Sequence, residues 1–299
     1  MSCSKPNPPP GRKPRWLKTR LPANASFGRV RTLLQDNVLH TVCEEAACPN
    51  RFECFSRNTA TFLLLGPSCT RDCRFCAVEQ GPKEPPDPEE PFRVASVAKA
   101  LGLSHVVLTS VTRDDLSDGG ASCFAKCIES LRHFLPQASL EALVPDFQGS
   151  SQALGTVLGA GPNVLNHNLE TVRRLYAEVR PLASYERSLR LLARSKEQAP
   201  STATKSGLML GLGETEPEIR TALEDLRASG VDIVTLGQYL QPTRDHLPVS
   251  RYLPPEEFDL WRSRAEAMGF AAAVCGPLVR SSYQAKEAYR LWLHQDATP

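Results

Sequence analysis

The chain has 299 residues, enough for one large domain or two small ones, and a hydrophobic content of 41% that can form a substantial core. Its formal net charge of +2 gives no reason to expect binding to nucleic acid or to a membrane surface. No apolar run approaches the ~18 residues that a membrane span needs, and no secretory signal begins the sequence. We therefore expect a cytoplasmic protein whose thiols stay reduced.

The first part of the chain predicts an arm followed by a cysteine-rich segment. Residues 1–28 should be extended, because the prolines at positions 8–10, 14 and 22 prevent a regular helix. Residues 29–38 predict a short helix. Residues 1–58 would then form an amino-terminal arm and cluster-binding segment.

Six of the ten cysteines form two closely spaced triplets. The first triplet is Cys43, Cys48 and Cys54, and the second triplet is Cys69, Cys73 and Cys76. Closely spaced cysteines are typical ligands of iron–sulfur clusters, and three thiolates leave one iron of a four-iron cube open.

Disulfides and structural zinc are the alternative interpretations of these cysteines. Odd-numbered triplets pair badly as disulfides, and a cytoplasmic setting disfavours them. Zinc sites usually take four ligands in two close pairs, and His40 alone near the first triplet is a weak reason to prefer zinc. The spacing therefore favours two iron–sulfur clusters.

Strands and helices alternate after a proline-rich loop at residues 81–91. The predicted strands are residues 61–65, 106–109, 140–144, 163–167, 206–210 and 232–236, with a last apolar run at 271–274. The predicted helices are residues 92–101, 120–135, 152–158, 169–179, 185–196, 217–229 and 255–268. This order is typical of parallel strands with right-handed crossovers. It predicts an α/β fold, an incomplete (β/α)6 TIM-like barrel over residues 59–275, with its functional face at the carboxyl ends of the strands.

The second triplet resembles the signature of radical S-adenosylmethionine (SAM) enzymes. It reads Cys69-Thr-Arg-Asp-Cys73-Arg-Phe-Cys76, follows the first strand, and carries the aromatic Phe75 before its last cysteine. The resemblance implies a 4Fe-4S cluster whose open iron chelates SAM and whose electron releases a 5′-deoxyadenosyl radical. Thr109 and Ser110, at the end of the second strand, are the candidate SAM-contacting residues.

Taken together, the two triplets and the motifs around them resemble the lipoyl synthase family from about Trp16 to Tyr283. The departures are mild, namely Arg51-Phe52 within the first triplet and the proline-rich arm. The matching stretches are Cys43-Glu-Glu-Ala-Ala-Cys48-Pro-Asn-Arg-Phe-Glu-Cys54, Thr59-Ala-Thr-Phe, Thr109-Ser-Val-Thr-Arg-Asp-Asp-Leu, Asn166-His-Asn-Leu-Glu-Thr, Thr204-Lys-Ser-Gly-Leu-Met-Leu-Gly-Leu-Gly-Glu-Thr, Thr235-Leu-Gly-Gln-Tyr-Leu-Gln-Pro-Thr and Arg280-Ser-Ser-Tyr283.

The resemblance implies insertion of two sulfur atoms at C6 and C8 of a protein-bound octanoyl-lysine. The first triplet would hold a second, auxiliary 4Fe-4S cluster that donates the sulfur. Its remaining iron would take a serine of the Arg-Ser-Ser-Tyr motif, assigned to Ser282 with Ser281 as the alternative. Without the family match, this serine pair would be read as a helix N-cap. Residues 276–299 would close over the active site.

The resemblance also implies partners. The substrates would be octanoylated lipoyl carrier domains, namely the glycine cleavage H protein and the E2 subunits of 2-oxoacid dehydrogenases. A ferredoxin- or flavodoxin-type reductant and cluster-assembly proteins would serve the clusters, with no nucleic acid and no membrane involved. Arg31, Lys205 and Arg280 are candidate contacts for the carrier domain.

Two other functions fit some of these features. Another two-cluster radical SAM sulfurtransferase, such as a methylthiotransferase or a biotin-synthase-like enzyme, would share the second triplet. The spacing of the first triplet and the Arg-Ser-Ser-Tyr motif argue against it. A non-enzymatic electron carrier needs neither a barrel nor an open iron.

Three residues outside the triplets have two possible roles each. Cys123 and Cys127 are four residues apart on a predicted helix, where they would be either a ligand pair or core residues. His167, at a predicted strand end, would either face the cavity or have a purely structural role.

Overall fold

The computed structural model describes residues 13–18, 26–57, 59–81 and 83–296, so most of the arm predicted for residues 1–28 lies outside the described residues. Eight strands form one sheet in chain order. They are β1 (His40–Thr41), β2 (Thr61–Leu64), β3 (His105–Ser110), β4 (Ser139–Leu143), β5 (Val164–Asn166), β6 (Ala203–Leu210), β7 (Ile233–Gln238) and β8 (Ala272–Gly276).

The sheet is a mostly parallel, unclosed barrel, which confirms the predicted fold class. The short β1 pairs antiparallel with β2, and every later neighbour is parallel, from Thr61 opposite Val107 to Ile233 opposite Ala272. Within the described ranges, no pairing joins β8 back to the first strands. The six predicted strands fall one short of the seven parallel strands, because the apolar run at 271–274 is itself a parallel strand, β8, hydrogen-bonded to β7. The short antiparallel β1 was not predicted.

Helices connect the strands and carry local start signals. Ser150 and Ser184 accept hydrogen bonds from backbone N–H groups two or three residues into the helices that follow them, and Thr215 forms a capping box with Glu218. The helices are α1 (Ser26–Asp36), α2 (Val42–Glu45), α3 (Arg51–Ser56), α4 (Glu90–Ala100), α5 (Ala121–Phe134), α6 (Ser151–Gly159), α7 (Tyr176–Val179), α8 (Tyr185–Gln198), α9 (Glu216–Ala228), α10 (Pro255–Ala267) and α11 (Ala285–Asp296). None of the helices in the described residues is long and apolar enough to cross a membrane.

The helix predicted over residues 169–179 is wrong in its first half. Glu170 has a φ of 68° and bridges Leu208 of β6. Its N–H donates to the carbonyl of Gly207 at 2.8 Å, and the N–H of Met209 donates to its carbonyl at 2.8 Å. These backbone bonds to β6 replace the helical ones, so tertiary pairing overrides local propensity here. The result places Glu170 at the carboxyl edge of the barrel.

The carboxyl-terminal segment divides between the two ends of the barrel. Residues 280–283 lie at the carboxyl ends of the strands, beside the cysteine triplets. In contrast, α11 packs Ala288 and Trp292 against Val164, Ala203 and Ile233, the first residues of β5, β6 and β7. Only part of this segment therefore lies at the expected end, and the division into 1–58, 59–275 and 276–299 stays a prediction.

An ion pair is buried inside the barrel. The Nζ of Lys205 lies 2.9 Å and 3.0 Å from the two carboxylate oxygens of Glu141, and both side chains are fully buried. Asn166 donates a further bond to Glu141 at 2.8 Å. Burial opposes ionisation of Glu141, but the Lys205 ammonium outweighs it and lowers the pKa of this carboxyl to about 2. Lys205 is therefore an interior residue and cannot meet a carrier domain.

Breaking this pair on one side should destabilise the protein strongly. We expect Lys205→Met to lower the free energy of unfolding by roughly 3–5 kcal/mol, because the Glu141 carboxylate is left buried without its counter-charge. The double variant Lys205→Met/Glu141→Gln should recover part of that loss. Urea unfolding measures both, with the exposed Arg31→Met as control. A loss below about 1 kcal/mol in Lys205→Met, as is usual for surface pairs, would contradict the buried pair.

Candidate active site

A cavity of about 690 Å³ opens at the carboxyl ends of the strands. Its lining includes all of the first triplet and two members of the second, together with Thr109, Ser110 and the loop from Arg280 to Tyr283. The structure thus brings together nearly all residues singled out from the sequence. A larger groove of about 940 Å³ beside β8, α10 and α11 contains no cysteine of either triplet.

The first triplet is held by two short helices. Cys43 lies in α2, Cys54 in α3 and Cys48 in the turn between them. The hydroxyl of Thr41 caps α2 by accepting the N–H of Glu44 at 3.3 Å. Burial, with Cys48 nearby, raises the pKa of both Cys43 and Cys54 to about 12. These thiols ionise readily only when a metal centre takes the thiolate.

The second triplet lies in a loop that is closed on itself after β2. Leu65 and Gly66, with φ of 68° and 84°, turn the chain out of the strand. The N–H of Cys69 donates to the carbonyl of Glu79 at 2.9 Å, and the N–H of Cys76 donates to that of Cys73 at 2.9 Å. The loop is therefore ordered by its own backbone bonds, which holds three cysteines in a fixed arrangement.

The donor chemistry of this loop suits an iron–sulfur cluster. Two backbone N–H groups, from Arg71 and Thr112, donate to the Sγ of Cys69 at 3.4 Å and 3.3 Å. Such N–H donors are a regular feature of cluster sulfurs. Burial raises the pKa of Cys73, and it raises that of Cys76 to about 12. Both thiols would need a metal to ionise.

The arrangement differs from that of a mononuclear metal site. No three His, Cys, Asp or Glu side chains in the described part of the chain are placed to hold a single metal ion. A four-iron cube requires a different geometry, because each thiolate binds a different iron. The three sulfurs therefore need not converge on a single point. The three thiols of each triplet are close enough to influence one another electrostatically.

Thr109 and Ser110 differ in what their hydroxyls do. Thr109 donates to the carbonyl of Leu143 at 3.0 Å and so ties β3 to β4. The hydroxyl of Ser110 is buried and has no hydrogen-bond partner within the described residues. Of the two candidates, Ser110 is the one that keeps a free polar atom for a ligand.

Three further polar residues in the cavity were not singled out from the sequence. Arg180 donates to the carbonyl of Asn168 and to the hydroxyl of Tyr176, both at 3.1 Å. Its Nε and the Oδ1 of Asn168 are buried without partners among the described residues. Burial raises the pKa of Glu170. The Asn-His-Asn-Leu-Glu stretch could have indicated Asn168 and Glu170 as site residues. The backbone turn that places Glu170 in the cavity lining could not be seen in the sequence.

The Arg-Ser-Ser-Tyr loop is fastened to the segment of the first triplet. The side chain of Asn50 donates to the carbonyl of Leu278 at 2.7 Å, and the hydroxyl of Tyr283 donates to Glu53 at 3.3 Å. A Cβ on Gly237 would stand 2.0 Å from the carbonyl oxygen of Val279, so only glycine permits this close approach. The loop therefore reaches the first triplet although it is distant in sequence.

The two serines of this loop are not equivalent. The hydroxyl of Ser281 accepts a hydrogen bond from the Nδ2 of Asn168 at 3.1 Å. The hydroxyl of Ser282 forms no hydrogen bond within the described residues, and the residue lines the cavity. Ser282 is thus the serine whose oxygen is free to act as a ligand.

The remaining candidates have structural positions. His167 is buried, with its ring nitrogens 2.8 Å from the carbonyl of Val144 and 2.9 Å from the hydroxyl of Ser188. Cys123 and Cys127 lie on α5 and do not line the cavity, and the Sγ of Cys123 lies 3.5 Å from a carboxylate oxygen of Glu90. They belong to the packing around α5.

Two family models match the chain. One, described as the radical SAM superfamily, covers residues 63–226, and the other, described as the N-terminal domain of lipoyl synthase, covers residues 4–48. The lipoyl synthase of Desulfotalea psychrophila is 53% identical over 278 residues, which is 93% of each chain. That of Chlorobaculum parvum is 55% identical over 282 residues, which is 94% of this chain and 96% of that protein.

Solved structures resemble this chain in fold. Methylornithine synthase superposes with a TM-score of 0.53 at 16% identity, covering 91% of this chain and 80% of that one. Streptococcus suis SuiB bound to the precursor peptide SuiA gives 0.57 at 12% identity, covering 72% and 48%. At such low identities the likeness concerns the fold alone, and it agrees with an incomplete barrel.

The neutral state of His167 should make stability depend on pH. Burial lowers its pKa from 6.5 to about 4. Below pH 6.5 the imidazole of His167 therefore binds a proton in the unfolded chain, whereas in the folded chain it stays neutral until about pH 4. This contribution to stability is complete above pH 6.5 and declines as the pH falls towards 4, by up to about 1.4 kcal/mol per pH unit.

We expect His167→Gln to flatten this decline. The measurement is urea unfolding of the reduced apoprotein between pH 7.5 and 4.5, with the exposed His133→Gln as matched control. The control should keep the wild-type slope. Parallel slopes for His167→Gln and the wild type would show that His167 does not titrate as its burial requires.

Proposed function

The chain belongs to the lipoyl synthase family of radical SAM enzymes, and we propose that the cavity at the carboxyl ends of its strands holds two 4Fe-4S clusters with separate tasks. The family's reaction is the radical SAM-dependent insertion of two sulfur atoms, at C6 and C8, into a protein-bound octanoyl group. The observation that carries the proposal is that one cavity is lined by the whole first triplet, by Cys73 and Cys76 of the second, and by the Arg280–Tyr283 loop.

The second triplet is the proposed site of the SAM-binding cluster. Cys69, Cys73 and Cys76 would hold this cluster, which with SAM would supply the radical chemistry of the reaction. The free Nε of Arg180 suits the carboxylate of SAM, because a guanidinium binds carboxylates through directed N–H groups. The unpaired Asn168 Oδ1 and Ser110 hydroxyl offer hydrogen bonds to its amine or ribose, with Thr109 holding the strand end beside them.

The first triplet, with Ser282, is the proposed site of the auxiliary cluster that donates sulfur. Cys43, Cys48 and Cys54 leave one iron short of a protein ligand, and the unbonded Ser282 hydroxyl lies in the same cavity. An oxygen ligand is harder than a thiolate and exchanges more easily. Ser281 is the alternative, but it is already engaged by Asn168.

The lining between the clusters suits an octanoyl chain. Apolar side chains from five strands or strand ends face this space, so a hydrocarbon chain would be removed from water there. They are Leu63, Val111, Leu143, Leu208 and Tyr239. Enclosure would also protect a carbon radical from solvent.

The proposed partners follow from this substrate. They are octanoylated lipoyl carrier domains, with the glycine cleavage H protein and 2-oxoacid dehydrogenase E2 subunits as the expected members. A ferredoxin- or flavodoxin-type reductant and cluster-assembly proteins complete the set. A methylthiotransferase or biotin-synthase-like activity is not favoured, because the relatives from Desulfotalea psychrophila and Chlorobaculum parvum, which align over 93% and 94% of this chain, are lipoyl synthases.

Alanine variants of the two triplets should separate the two tasks. Cys73→Ala should abolish 5′-deoxyadenosine formation and keep the auxiliary cluster, whereas Cys48→Ala should leave SAM cleavage partly intact and stop thiolation. Iron and sulfide counts, nucleoside analysis and mass spectrometry of an octanoylated peptide measure these outcomes. Cys123→Ala, outside the cavity, is the matched control. Retained SAM cleavage in Cys73→Ala would overturn the assignment.

The sulfur in the product should come from the auxiliary cluster. With clusters carrying heavy sulfur and light sulfide in solution, a single turnover should give a heavy product. Ser282→Ala should perturb the auxiliary cluster more than Ser281→Ala, as seen by Mössbauer spectroscopy. A mainly light product would remove the donor role from Cys43, Cys48, Cys54 and Ser282.

A further inference from the structure

Arg71 is a buried arginine inside the loop of the second triplet. It lies between Cys69 and Cys73, and its side chain is only 4% exposed. Its Nε and Nη2 donate to the two carboxylate oxygens of Asp114 at 2.7 Å and 2.9 Å. Its Nη2 also donates to Asp146 at 2.6 Å. One guanidinium therefore joins the loop to two carboxylates.

The two carboxylates lie just after neighbouring strands of the barrel. Asp114 follows β3 and Asp146 follows β4, so Arg71 connects the loop to the carboxyl ends of both strands. Asp146 is fully buried and also accepts Nη1 of Arg187, on α8, at 3.1 Å. Burial opposes ionisation of Asp146, but Arg71 outweighs it and holds the pKa of this carboxyl well below its usual range.

The backbone of the same residue contacts a proposed cluster ligand. The N–H of Arg71 donates to the Sγ of Cys69 at 3.4 Å. The preceding residue, Thr70, is hydrogen-bonded to the segment after β3. Its N–H donates to the carbonyl of Thr112 at 3.0 Å, and its hydroxyl accepts a hydrogen bond from the N–H of Asp114 at 3.2 Å. Fixing the Arg71 side chain thus fixes the direction of an N–H that points at sulfur.

We propose that Arg71 is a positioning residue whose buried ion pairs with Asp114 and Asp146 set the loop, and the N–H···S bond to Cys69, before iron is bound. The identity of the cluster rests on the proposed function, but the ordering of the loop does not. An N–H donated to a cluster sulfur stabilises the reduced, more negative state, so its direction helps to set the reduction potential.

Arginine suits this position for a geometric reason. Its planar fork reaches both oxygens of Asp114 and still has an N–H for Asp146, whereas the single ammonium of lysine lacks this rigid fork. Arg187 provides a matched control. It contacts the same Asp146 carboxylate from α8 but lies outside the loop, with 30% of its side chain exposed.

The first test uses the reduced apoprotein, so it does not depend on clusters or activity. Amide hydrogen exchange is followed by mass spectrometry in Arg71→Met, Arg187→Met and the wild type. We expect exchange in residues 67–79 to rise roughly tenfold in Arg71→Met, because the loop opens locally, and to stay within about twofold in Arg187→Met. Equal exchange of this segment in all three proteins would overturn the proposal.

The second test uses the protein with both clusters reconstituted. Redox titration followed by electron paramagnetic resonance should show a more negative potential for the second-triplet cluster in Arg71→Met, and an unchanged potential for the first-triplet cluster. Arg71→Lys should fall between Arg71→Met and the wild type. An unchanged potential in Arg71→Met, or equal shifts in both clusters, would overturn the proposed effect on Cys69.

The two failures can be told apart. If the wild type makes no 5′-deoxyadenosine, the proposed function fails, while the exchange result still decides the role of Arg71. Should Arg71→Met not fold, Asp114→Asn weakens the paired interaction from the other side and must give the same local rise in exchange. A wild-type exchange pattern in a folded Asp114→Asn would then overturn the proposal.

Discussion

The chemistry proposed for this protein depends on the contacts that join the first triplet to the Arg280–Tyr283 loop. Asn50, within the first triplet, donates to the carbonyl of Leu278, 228 residues later. With the Tyr283–Glu53 bond and the close approach at Gly237, it brings a serine-bearing loop to three cysteines. A cavity that contains donors from both ends can form only after the whole barrel is built, because the barrel sets the distance between them.

Buried ion pairs occur inside the barrel and at the carboxyl ends of its strands. Lys205 and Glu141 pair inside the barrel, and Arg71, within the loop of the second triplet, pairs with Asp114 and Asp146 at two strand ends. Buried ion pairs add little net stability over apolar residues of similar volume, but each partner becomes costly to remove alone. We infer that these ion pairs favour one arrangement of the strand ends over others. The residues of the candidate site lie at these strand ends.

The proposed division of labour between the triplets agrees with the bonding of the residues around them. Both triplets are ordered by backbone bonds, the second within its own loop and the first through two short helices and a turn. Only the first triplet is proposed to take a serine, and the Ser282 hydroxyl, in the same cavity, forms no hydrogen bond within the described residues. Under the proposed function the first-triplet cluster is consumed, and a serine ligand without other hydrogen bonds can leave it.

Local pattern was enough for the fold class, most helices and the two cysteine triplets, whereas the family resemblance supplied the proposed reaction. The cysteine spacing identified both triplets, and the alternation of apolar runs gave a parallel α/β barrel, because these signals depend on near neighbours. Long-range pairing decided the rest. It made the run at 271–274 a strand, drew residues 169–172 out of a helix, and buried Lys205 against Glu141. It also bonded the Ser281 hydroxyl to Asn168, because hydrogen bonds between distant segments depend on tertiary contacts that no short stretch of sequence contains.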